Sequence, residues 1–307
     1  MRILVTGGAG FIGRWVVKKL IEKCHNVFVL DDLSNGRKEN LKGFNVDLTV
    51  GDIRDREIVS KLFQNNFDVC IHAAAQINVQ ESLDDPEKSM TVNVNGTFNI
   101  LEEARKYNTK VVLIGTCMVY DLSGEKPINE THPIKSASPY AASKVSAEEL
   151  ALSYYYGYDL PVVILRPFNT YGPFQKSNME GGVVSIFIKK GLDGNDLNVF
   201  GDGNQTRDLL YVEDCANFIV KATFNEKAVG EVFNAGSGGD ISINDLAYLI
   251  CKDNNRIKHV VHHHPQAEIQ KLVCDNTKAM KLLGWEPKVS LEDGIKKTEE
   301  WIRKNDI

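Results

Sequence analysis

The sequence Arg2-Ile3-Leu4-Val5-Thr6-Gly7-Gly8-Ala9-Gly10-Phe11-Ile12-Gly13 opens the chain and decides its fold. A β-rich run, Ile3–Thr6, leads through a glycine turn into an amphipathic run, Phe11–Lys23. The spaced glycines of this turn are Gly7, Gly10 and Gly13. They permit a tight turn, a close approach of the backbone to a pyrophosphate and close helix packing, while the helix N-terminus supplies amide donors. The stretch therefore predicts a dinucleotide-binding strand–turn–helix unit.

Short β-rich runs alternate with longer amphipathic runs beyond this unit. The further β-rich runs are Val27–Leu30, Val46–Val50, Val69–Ala73, Val111–Ile114 and Val162–Leu165. Such alternation is typical of βαβ units, in which helices cover both faces of a parallel sheet. We therefore predict an α/β fold with a Rossmann-type, doubly wound parallel sheet.

An acidic residue at the end of the second strand indicates which dinucleotide is bound. Asp31 lies about 20 residues beyond the glycines, where a carboxylate can bind the adenosine ribose. Because a carboxylate repels the 2′-phosphate of NADP, NAD is the predicted cofactor, although nearby Arg37 leaves NADP as an alternative. After the third strand, Asp52 and Ile53 could hold the adenine edge. Alternatively, the acid could cap a helix that begins near Asp55.

The second half of the chain is less regular. After Arg166 come a loop, Asn169–Gly182, and a turn, Phe200–Asn204, although Val212–Phe224 is predicted to be a helix. A length of 307 residues suits two packed lobes better than one core. The expected division is an NAD-binding Rossmann domain at 1–168, with 208–235 packing back on it, and a smaller, interleaved, mainly substrate-binding lobe at 169–307.

Charge and composition exclude several classes of partner. The 36 Lys and Arg against 41 Asp and Glu give a net charge of −5, so no basic field exists to attract nucleic acid or an anionic membrane. The sequence has no apolar stretch of the roughly 18 residues that a spanning helix needs, and we expect a cytoplasmic protein. The cysteines are scattered without C-x-x-C spacing, which favours free thiols, most of them in the core. They are Cys24, Cys70, Cys117, Cys215, Cys251 and Cys274.

Tyr140 and Lys144 form a Tyr-x-x-x-Lys pair. Residues four apart share one face of a helix, so the phenol and the ammonium can point at the same reacting atom. A cation beside a phenol favours phenolate and should lower the tyrosine pKa from about 10 towards the working pH. The pair predicts a general base that works together with hydride transfer.

The motifs together resemble the extended short-chain dehydrogenase/reductases, in particular the NAD-dependent enzymes that epimerise or dehydrate nucleotide sugars. The matching stretches are Thr6–Gly13, His72–Ala75, Asn93–Thr97, Tyr140–Lys144, Arg166–Pro173, Arg207–Asp214 and Leu282–Pro287. The expected cofactor-binding set is Gly7, Gly10, Phe11, Ile12, Gly13, Asp31, Asp32, Asn35, Asp52, Ile53, Ala73, Ala74, Ala75, Asn93, Tyr140 and Lys144. The resemblance also implies a homodimer and a nucleoside-diphosphate sugar substrate, UDP-linked by likeness to UDP-glucose 4-epimerases.

The resemblance assigns roles to single residues. Tyr140 would deprotonate a sugar hydroxyl while the nicotinamide takes hydride from the same carbon, and Lys144 would hold the nicotinamide ribose. Thr116 matches the Ser/Thr that hydrogen-bonds this hydroxyl. Asn169 and Arg207 match groups that contact the substrate diphosphate, to which a guanidinium is well suited.

The departures from the family pattern concern the reaction outcome. After Thr116, the 4,6-dehydratases commonly carry an acidic pair, whereas this chain has Cys117-Met118. Methionine cannot transfer a proton, while 4-epimerisation needs no acid there. Cys117 could replace one acid as a thiolate near a cationic nicotinamide, or it could be a small buried apolar residue. Against an epimerase, Arg166–Gln175 and Cys274–Lys278 resemble segments of UDP-N-acetylglucosamine dehydratases.

Further departures lie near the end of the chain. Many relatives place a phosphate-binding arginine near Gln270, so Gln270 is a candidate substrate-binding residue and Lys271 a compensating cation. Consecutive histidines at 262–264 point alternately apart on an extended segment, so we expect a solvated loop and no metal. Glu213 and Asp214 are expected to cap a helix.

Three function classes follow from these residues. The favoured one is a UDP-sugar 4-epimerase, which oxidises C4 transiently. The second is a nucleotide-sugar dehydratase that uses Cys117. The third is a non-catalytic NAD-binding regulator, which the presence of both Tyr140 and Lys144 disfavours.

Overall fold

The structure is a computed structural model that describes residues 1–121, 127–176, 182–261 and 270–305. Its centre is a parallel sheet of seven strands in the order β11-β6-β5-β4-β1-β2-β3. These strands are β1 (Arg2–Thr6), β2 (Asn26–Asp31), β3 (Asp47–Val50), β4 (Val69–His72), β5 (Lys110–Ile114), β6 (Val162–Pro167) and β11 (Val232–Ala235). The predicted doubly wound parallel sheet is confirmed.

Three two-stranded sheets accompany the central one. They pair β7 (Asn169–Tyr171) with β10 (Leu209–Tyr211), β9 (Thr206–Arg207) with β12 (Ile241–Ser242), and β8 (Leu197–Phe200) with β13 (Ile257–Val260). The helices are α1 (Phe11–Glu22), α2 (Arg56–Phe63), α3 (Val79–Asp84), α4 (Pro86–Met90), α5 (Gly96–Tyr107), α6 (Pro139–Tyr158), α7 (Val183–Leu192), α8 (Val212–Thr223), α9 (Ile243–Cys251) and α10 (Leu291–Asn305).

Alternation along the central strands builds a core on each face of the sheet. In β1, Ile3 and Val5 point into the cluster that α1 and α8 cover, while Leu4 points into the cluster that α5 and α6 cover. This burial on both faces explains why the sequences of the strands are nearly continuous apolar runs. It also brings the carboxyl ends of the parallel strands to one edge, where ligands bind in open α/β sheets.

The chain returns to the central sheet after Arg166. Helix α8 packs on α1, and β11 pairs with β6 in parallel. The predicted helix Val212–Phe224 is present as α8, and Glu213 and Asp214 lie in its first turn, but neither side chain caps it as expected. Asp214 accepts hydrogen bonds from the backbone nitrogens of Lys288 at 2.9 Å and Val289 at 2.8 Å, and so ties the segment before α10 to α8.

The start of α6 is fixed by local sequence. The Ser138 hydroxyl accepts a hydrogen bond from the backbone nitrogen of Ala141 at 3.2 Å, and Pro139 occupies the first helical position. Tyr140 therefore lies in the first turn and Lys144 in the next. The helix packs beside β6, and the Lys144 ammonium reaches the Ile114 carbonyl oxygen at the carboxyl end of β5.

Candidate active site

A large cleft of about 1390 Å³ lies at the carboxyl edge of the central sheet. The glycine turn forms one end of it. Gly7 has a φ of +70°, and a Cβ at Gly13 would lie 2.0 Å from the Gly7 carbonyl oxygen, so both positions require glycine. Gly10 precedes α1 with no side-chain cap, and the first turn of α1 has no acidic residue. The amide groups at this helix end suit the pyrophosphate of a dinucleotide.

Asp31 lies beside the glycine turn and holds it. Its carboxylate accepts hydrogen bonds from the backbone nitrogens of Ala9 and Leu33, each at 2.9 Å. Burial is the largest influence on the Asp31 carboxyl and raises its pKa, which these hydrogen bonds oppose. Asp32, Asn35 and Arg37 also line this end of the cleft. A carboxylate at the ribose end therefore faces any cofactor that enters.

We expect the purified protein to bind NAD at least ~10-fold more tightly than NADP, a difference of about 1.4 kcal/mol, because a 2′-phosphate would meet the Asp31 carboxylate. Calorimetric titration with each cofactor measures the ratio. Arg37→Ser is the control and should leave it unchanged. Tighter binding of NADP, weakened selectively by Arg37→Ser, would show that Arg37 governs the choice.

Most of the remaining predicted cofactor residues line the cleft, whereas Asn93 does not. Those that line the cleft are Phe11, Ile12, Asp52, Ile53, Ala73, Ala74 and Ala75. Asp52 pairs with Arg54 at 2.6 Å, and its pKa is lowered mainly by hydrogen bonding to that guanidinium. The helix cap is Asp55, whose carboxylate accepts from two backbone amides, so the capping alternative for Asp52 is wrong.

Asn93 differs from its predicted role, because it does not line the cleft. It is buried, and its side-chain amide bonds both backbone groups of Gln76, at 2.8 Å and 3.0 Å, and the Ser143 hydroxyl at 2.9 Å. Asn93 thus joins the loop after β4 to α6, next to Lys144. Its hydrogen bonds hold Gln76, which lines the cleft, and Ser143 of α6 in place.

The predicted catalytic residues converge on the cleft. Thr116, Tyr140 and Lys144 line it and are each less than a tenth exposed. The Tyr140 and Thr116 side chains are hydrogen-bonded to each other. The Lys144 ammonium donates to the Ile114 carbonyl oxygen at 2.6 Å, so the end of β5 fixes the lysine side chain. A hydroxyl donor, a phenol and a cation are therefore held within one small region.

The expected direction of the tyrosine pKa is wrong for this structure. Burial raises the pKa of Tyr140 to about 12, and the hydrogen bond with Thr116 opposes this only in part. Burial also lowers the pKa of Lys144 to about 8. Sequence spacing predicted the shared helix face but could not predict the desolvation of both groups.

The side chains of Cys117 and Met118 have different surroundings. Cys117 is 2% exposed and packs with Val119, Phe168 and Cys274, away from the cleft lining, and burial raises its thiol pKa to about 12. Met118 lines the cleft instead. The tentative catalytic role of Cys117 is therefore contradicted by its position, because a protonated thiol in an apolar cluster cannot reach a substrate.

Two of the three predicted substrate residues line the cleft. Asn169 and Arg207 do so, at the ends of β7 and β9. Gln270 is exposed and does not; its carbonyl oxygen accepts from the Thr206 nitrogen at 2.8 Å. Lys271 is also exposed and outside the lining.

The sequence analysis gave no role to several cleft residues, most of which come from distant elements without a local motif. They include Gln76, Thr170, Phe174, Asn198, Phe200, Trp301 and Asn305. Phe174, at a φ of +75°, packs 4.8 Å from Trp301 of α10. Among the described residues, no group of three His, Cys, Asp or Glu is placed to hold a metal ion. The histidines at 262–264 lie outside the described residues.

A doubly wound sheet with a glycine turn, a ribose-end carboxylate and a Thr–Tyr–Lys set defines a dinucleotide-dependent enzyme class. A family model described as GDP-mannose 4,6 dehydratase matches residues 4–298. The chain belongs to this family of NAD-dependent nucleotide-sugar epimerases and dehydratases, which confirms the predicted family.

Individual relatives cover the whole chain. A putative UDP-glucose 4-epimerase of Methanocaldococcus jannaschii is 40% identical over 306 residues, 99% of each chain. The solved structure of Pal from Bacillus thuringiensis is 56% identical with a TM-score of 0.97, covering 99% of this chain and 100% of that one. UDP-glucose 4-epimerase of Thermotoga maritima, solved with UDP-glucose, is 36% identical with a TM-score of 0.95, covering 100% of both chains.

Solved relatives include NAD complexes of both reaction types. They are a UDP-glucose 4-epimerase at 33% identity and a dTDP-glucose 4,6-dehydratase at 30% identity. Family membership therefore leaves the reaction outcome to the residues of the cleft. No helix in the described part of the chain has the length and apolar character to cross a membrane.

Proposed function

We propose that this chain is an NAD-dependent nucleotide-sugar 4-epimerase that acts on a UDP-linked hexose. The observation that carries the proposal is the composition of the cleft around Tyr140. Thr116 and Lys144 line it there, and the neighbouring position presents Met118, while Cys117 is turned into the core. A tyrosine with its hydrogen-bonding partner suffices for proton exchange at one hydroxyl. The acids that an elimination needs are missing from this segment.

Residues from the amino-terminal half of the chain would hold NAD. The glycine turn would bind the pyrophosphate, Asp31 the adenosine ribose and Lys144 the nicotinamide ribose. NAD, when bound, supplies the hydride acceptor and a pyridinium charge that favours the Tyr140 phenolate. Burial of Tyr140 and Lys144 keeps water away from the place where hydride moves.

The chain's own residues handle the proton. Thr116 orients the C4 hydroxyl of the sugar by a hydrogen bond, and Tyr140 takes its proton while C4 is oxidised to a ketone. The 4-keto sugar then presents its other face. Tyr140 returns the proton to the C4 oxygen as the carbon is reduced with the opposite configuration.

The opposite side of the cleft supports a nucleoside-diphosphate substrate. Asn169 and Arg207 line the cleft, where an amide and a guanidinium can bind phosphate oxygens. Asn198 and Phe200, on the same face of β8, line it further on. An aromatic ring and a side-chain amide suit a pyrimidine base, and the Thermotoga maritima relative was solved with UDP-glucose.

Product analysis tests the proposal. The NAD-loaded protein is incubated separately with UDP-glucose, UDP-N-acetylglucosamine and UDP-glucuronate, and products are examined by mass spectrometry and proton NMR. We expect one substrate to yield an isomer of unchanged mass with an inverted C4 proton coupling. A loss of 18 Da, the mass of water, would identify a dehydratase, and loss of carbon dioxide a decarboxylase.

Replacing Cys117 by alanine should retain at least about half of the epimerase turnover, because the thiol lies in the apolar cluster behind Met118 and removing it leaves only a small void. Initial rates with the best substrate measure the effect. Val119→Ala, in the same cluster, is the matched packing control. A Cys117→Ala protein that stalls with absorbance at the reduced-nicotinamide band would instead show that the thiol takes part in an elimination.

We further propose a homodimer in the cytoplasm, with 1–168 as the NAD-binding domain and 169–307 as the main substrate lobe. Helices α4 and α6 pack on each other, and their exposed apolar side chains, Met90, Tyr156 and Tyr158, support an interface there. The cysteines are free, as a reducing compartment requires. Light scattering coupled to size exclusion would give the mass, and a monomer at micromolar concentration would contradict the dimer.

A further inference from the structure

A third ionisable residue continues the catalytic face of α6. Tyr140, Lys144 and Glu148 are spaced by four residues, so they lie one above the other on the helix. Their exposed fractions are 7%, 5% and 1%. Nothing in the proposed chemistry so far uses Glu148, although a buried carboxylate is costly and needs partners.

The partners of Glu148 account for only one of its two oxygens. Arg166 donates to Oε2 from Nη2 at 2.6 Å and from Nε at 3.0 Å. The Nη1 group of Arg166 donates elsewhere, to the Tyr120 hydroxyl at 2.8 Å. Oε1 is buried and has no hydrogen-bond partner among the described residues.

The unpartnered oxygen faces the strand end that carries the catalytic groups. A Cβ built on Gly115 would lie 2.2 Å from Oε1, so the carboxylate packs directly against this glycine. Gly115 stands between Ile114, whose carbonyl oxygen receives the Lys144 ammonium at 2.6 Å, and Thr116. The negative charge of Glu148 therefore lies beside the same short backbone segment that holds the lysine.

We propose that Glu148 is a positioning residue of the hydride-transfer site, whose negative charge, packed against Gly115 beside the strand end that binds Lys144, keeps the lysine ammonium in its cationic form. This inference rests on the proposed function of Lys144. The side chain does not touch the cleft and acts through the lysine. A glycine at 115 is then required because any side chain would displace the carboxylate.

The other charged and titratable groups around Lys144 do not replace Glu148. His72, at the end of β4, is neutral, because burial and the Lys144 charge lower its pKa to about 3. Arg166, on β6, is a cation and cannot replace a carboxylate, and burial raises the pKa of Tyr140 to about 12. Burial lowers the pKa of Lys144 to about 8, and the charge of Glu148 opposes this shift.

The test is a comparison of Glu148→Gln with Glu149→Gln. The glutamine keeps the size of the side chain and one acceptor for Arg166, while residue 149 is exposed on the same helix and provides the matched control. Lysine side chains are labelled with carbon-13, and the Lys144 signal is assigned from its loss in Lys144→Met. We expect Glu148→Gln to lower the measured pKa of Lys144 by about one unit or more and Glu149→Gln to leave it unchanged.

A pH profile of kcat/KM gives a second readout. Lys144 must be charged, so activity falls as the pH rises through its pKa. In Glu148→Gln the alkaline fall of kcat/KM should occur at a pH about one unit lower than in the wild type. Activity should then be ~10-fold lower than wild type near pH 9 and within about twofold of it near pH 6. A loss that is equal at every pH, with an unchanged Lys144 titration, would overturn the proposal and leave Glu148 as a structural partner of Arg166.

Circular dichroism and thermal melting check the fold of each variant. If Glu148→Gln does not fold, Glu148→Asp keeps the charge but withdraws it from Gly115, and a smaller downward shift of the lysine pKa is expected; no shift contradicts the proposal. The titration needs neither substrate nor NAD. A shifted lysine pKa in a protein without epimerase products would therefore refute the proposed function and leave this inference standing.

Discussion

Tyr140→Phe is expected to lower turnover by at least ~100-fold while the protein stays folded and binds NAD, because general acid–base catalysis contributes about this much or more. The ring is 7% exposed, and phenylalanine fills the same volume. Only the hydroxyl and its hydrogen bond with Thr116 are lost. Steady-state rates and calorimetric titration with NAD measure the two properties separately.

The same helix provides the control for this variant. Tyr156 is 75% exposed, and Tyr156→Phe should have wild-type activity. Thr116→Val removes the other partner of the hydrogen bond and should reduce turnover less than Tyr140→Phe, because the phenol can still exchange the proton. Near-normal activity of Tyr140→Phe would remove the residue from the mechanism.

Lys144→Met should weaken NAD binding and also lower turnover, by at least ~10-fold each, since the ammonium serves both the nicotinamide ribose and the charge of the site. Methionine preserves much of the buried length but leaves the Ile114 carbonyl oxygen without its donor. A buried unpaired acceptor costs about 1–3 kcal/mol, so the melting temperature should fall as well. Tryptophan fluorescence during titration with NAD and steady-state rates give the two functional values.

Lys61, which is exposed on α2, provides the matched control. Lys61→Met should change neither NAD binding nor turnover. The double variant Lys144→Met, Glu148→Gln should be no less active than Lys144→Met alone, because residues that act through one another are non-additive. Normal NAD affinity in Lys144→Met would contradict the ribose-binding role. Additive losses in the double variant would contradict the proposal that Glu148 acts through Lys144.

Local sequence patterns predicted the architecture well because short-range constraints produce it. The glycine turn before Phe11 requires glycine at Gly7 and Gly13, and apolar runs such as Val162–Leu165 must be buried on both faces. Strand bounds differ from the predictions by one or two residues; β4, for example, ends at His72 instead of Ala73. Helical spacing likewise placed Tyr140 and Lys144 on one face of α6.

The sequence could not indicate which of two adjacent residues faces the cleft. Cys117 and Met118 are adjacent in the chain, yet a 3₁₀ turn directs the thiol into an apolar cluster and the thioether into the cleft. Asn93 belongs to a family motif, but the loop after β4 and helix α6 take up its hydrogen bonds. Such orientations depend on residues far away in sequence, so periodicity carries no signal for them.

The amino-acid sequence by itself determined the doubly wound sheet, the dinucleotide turn and the shared helix face of Tyr140 and Lys144, because each depends on spacing within one or two adjacent elements. The tertiary structure alone decided the charge properties of the site. Burial raises the pKa of Tyr140 and lowers that of Lys144, and Glu148 meets Arg166 only when β6 packs against α6. Desolvation and ion pairing are sums over the whole surroundings of a group, which exist only once the chain has folded.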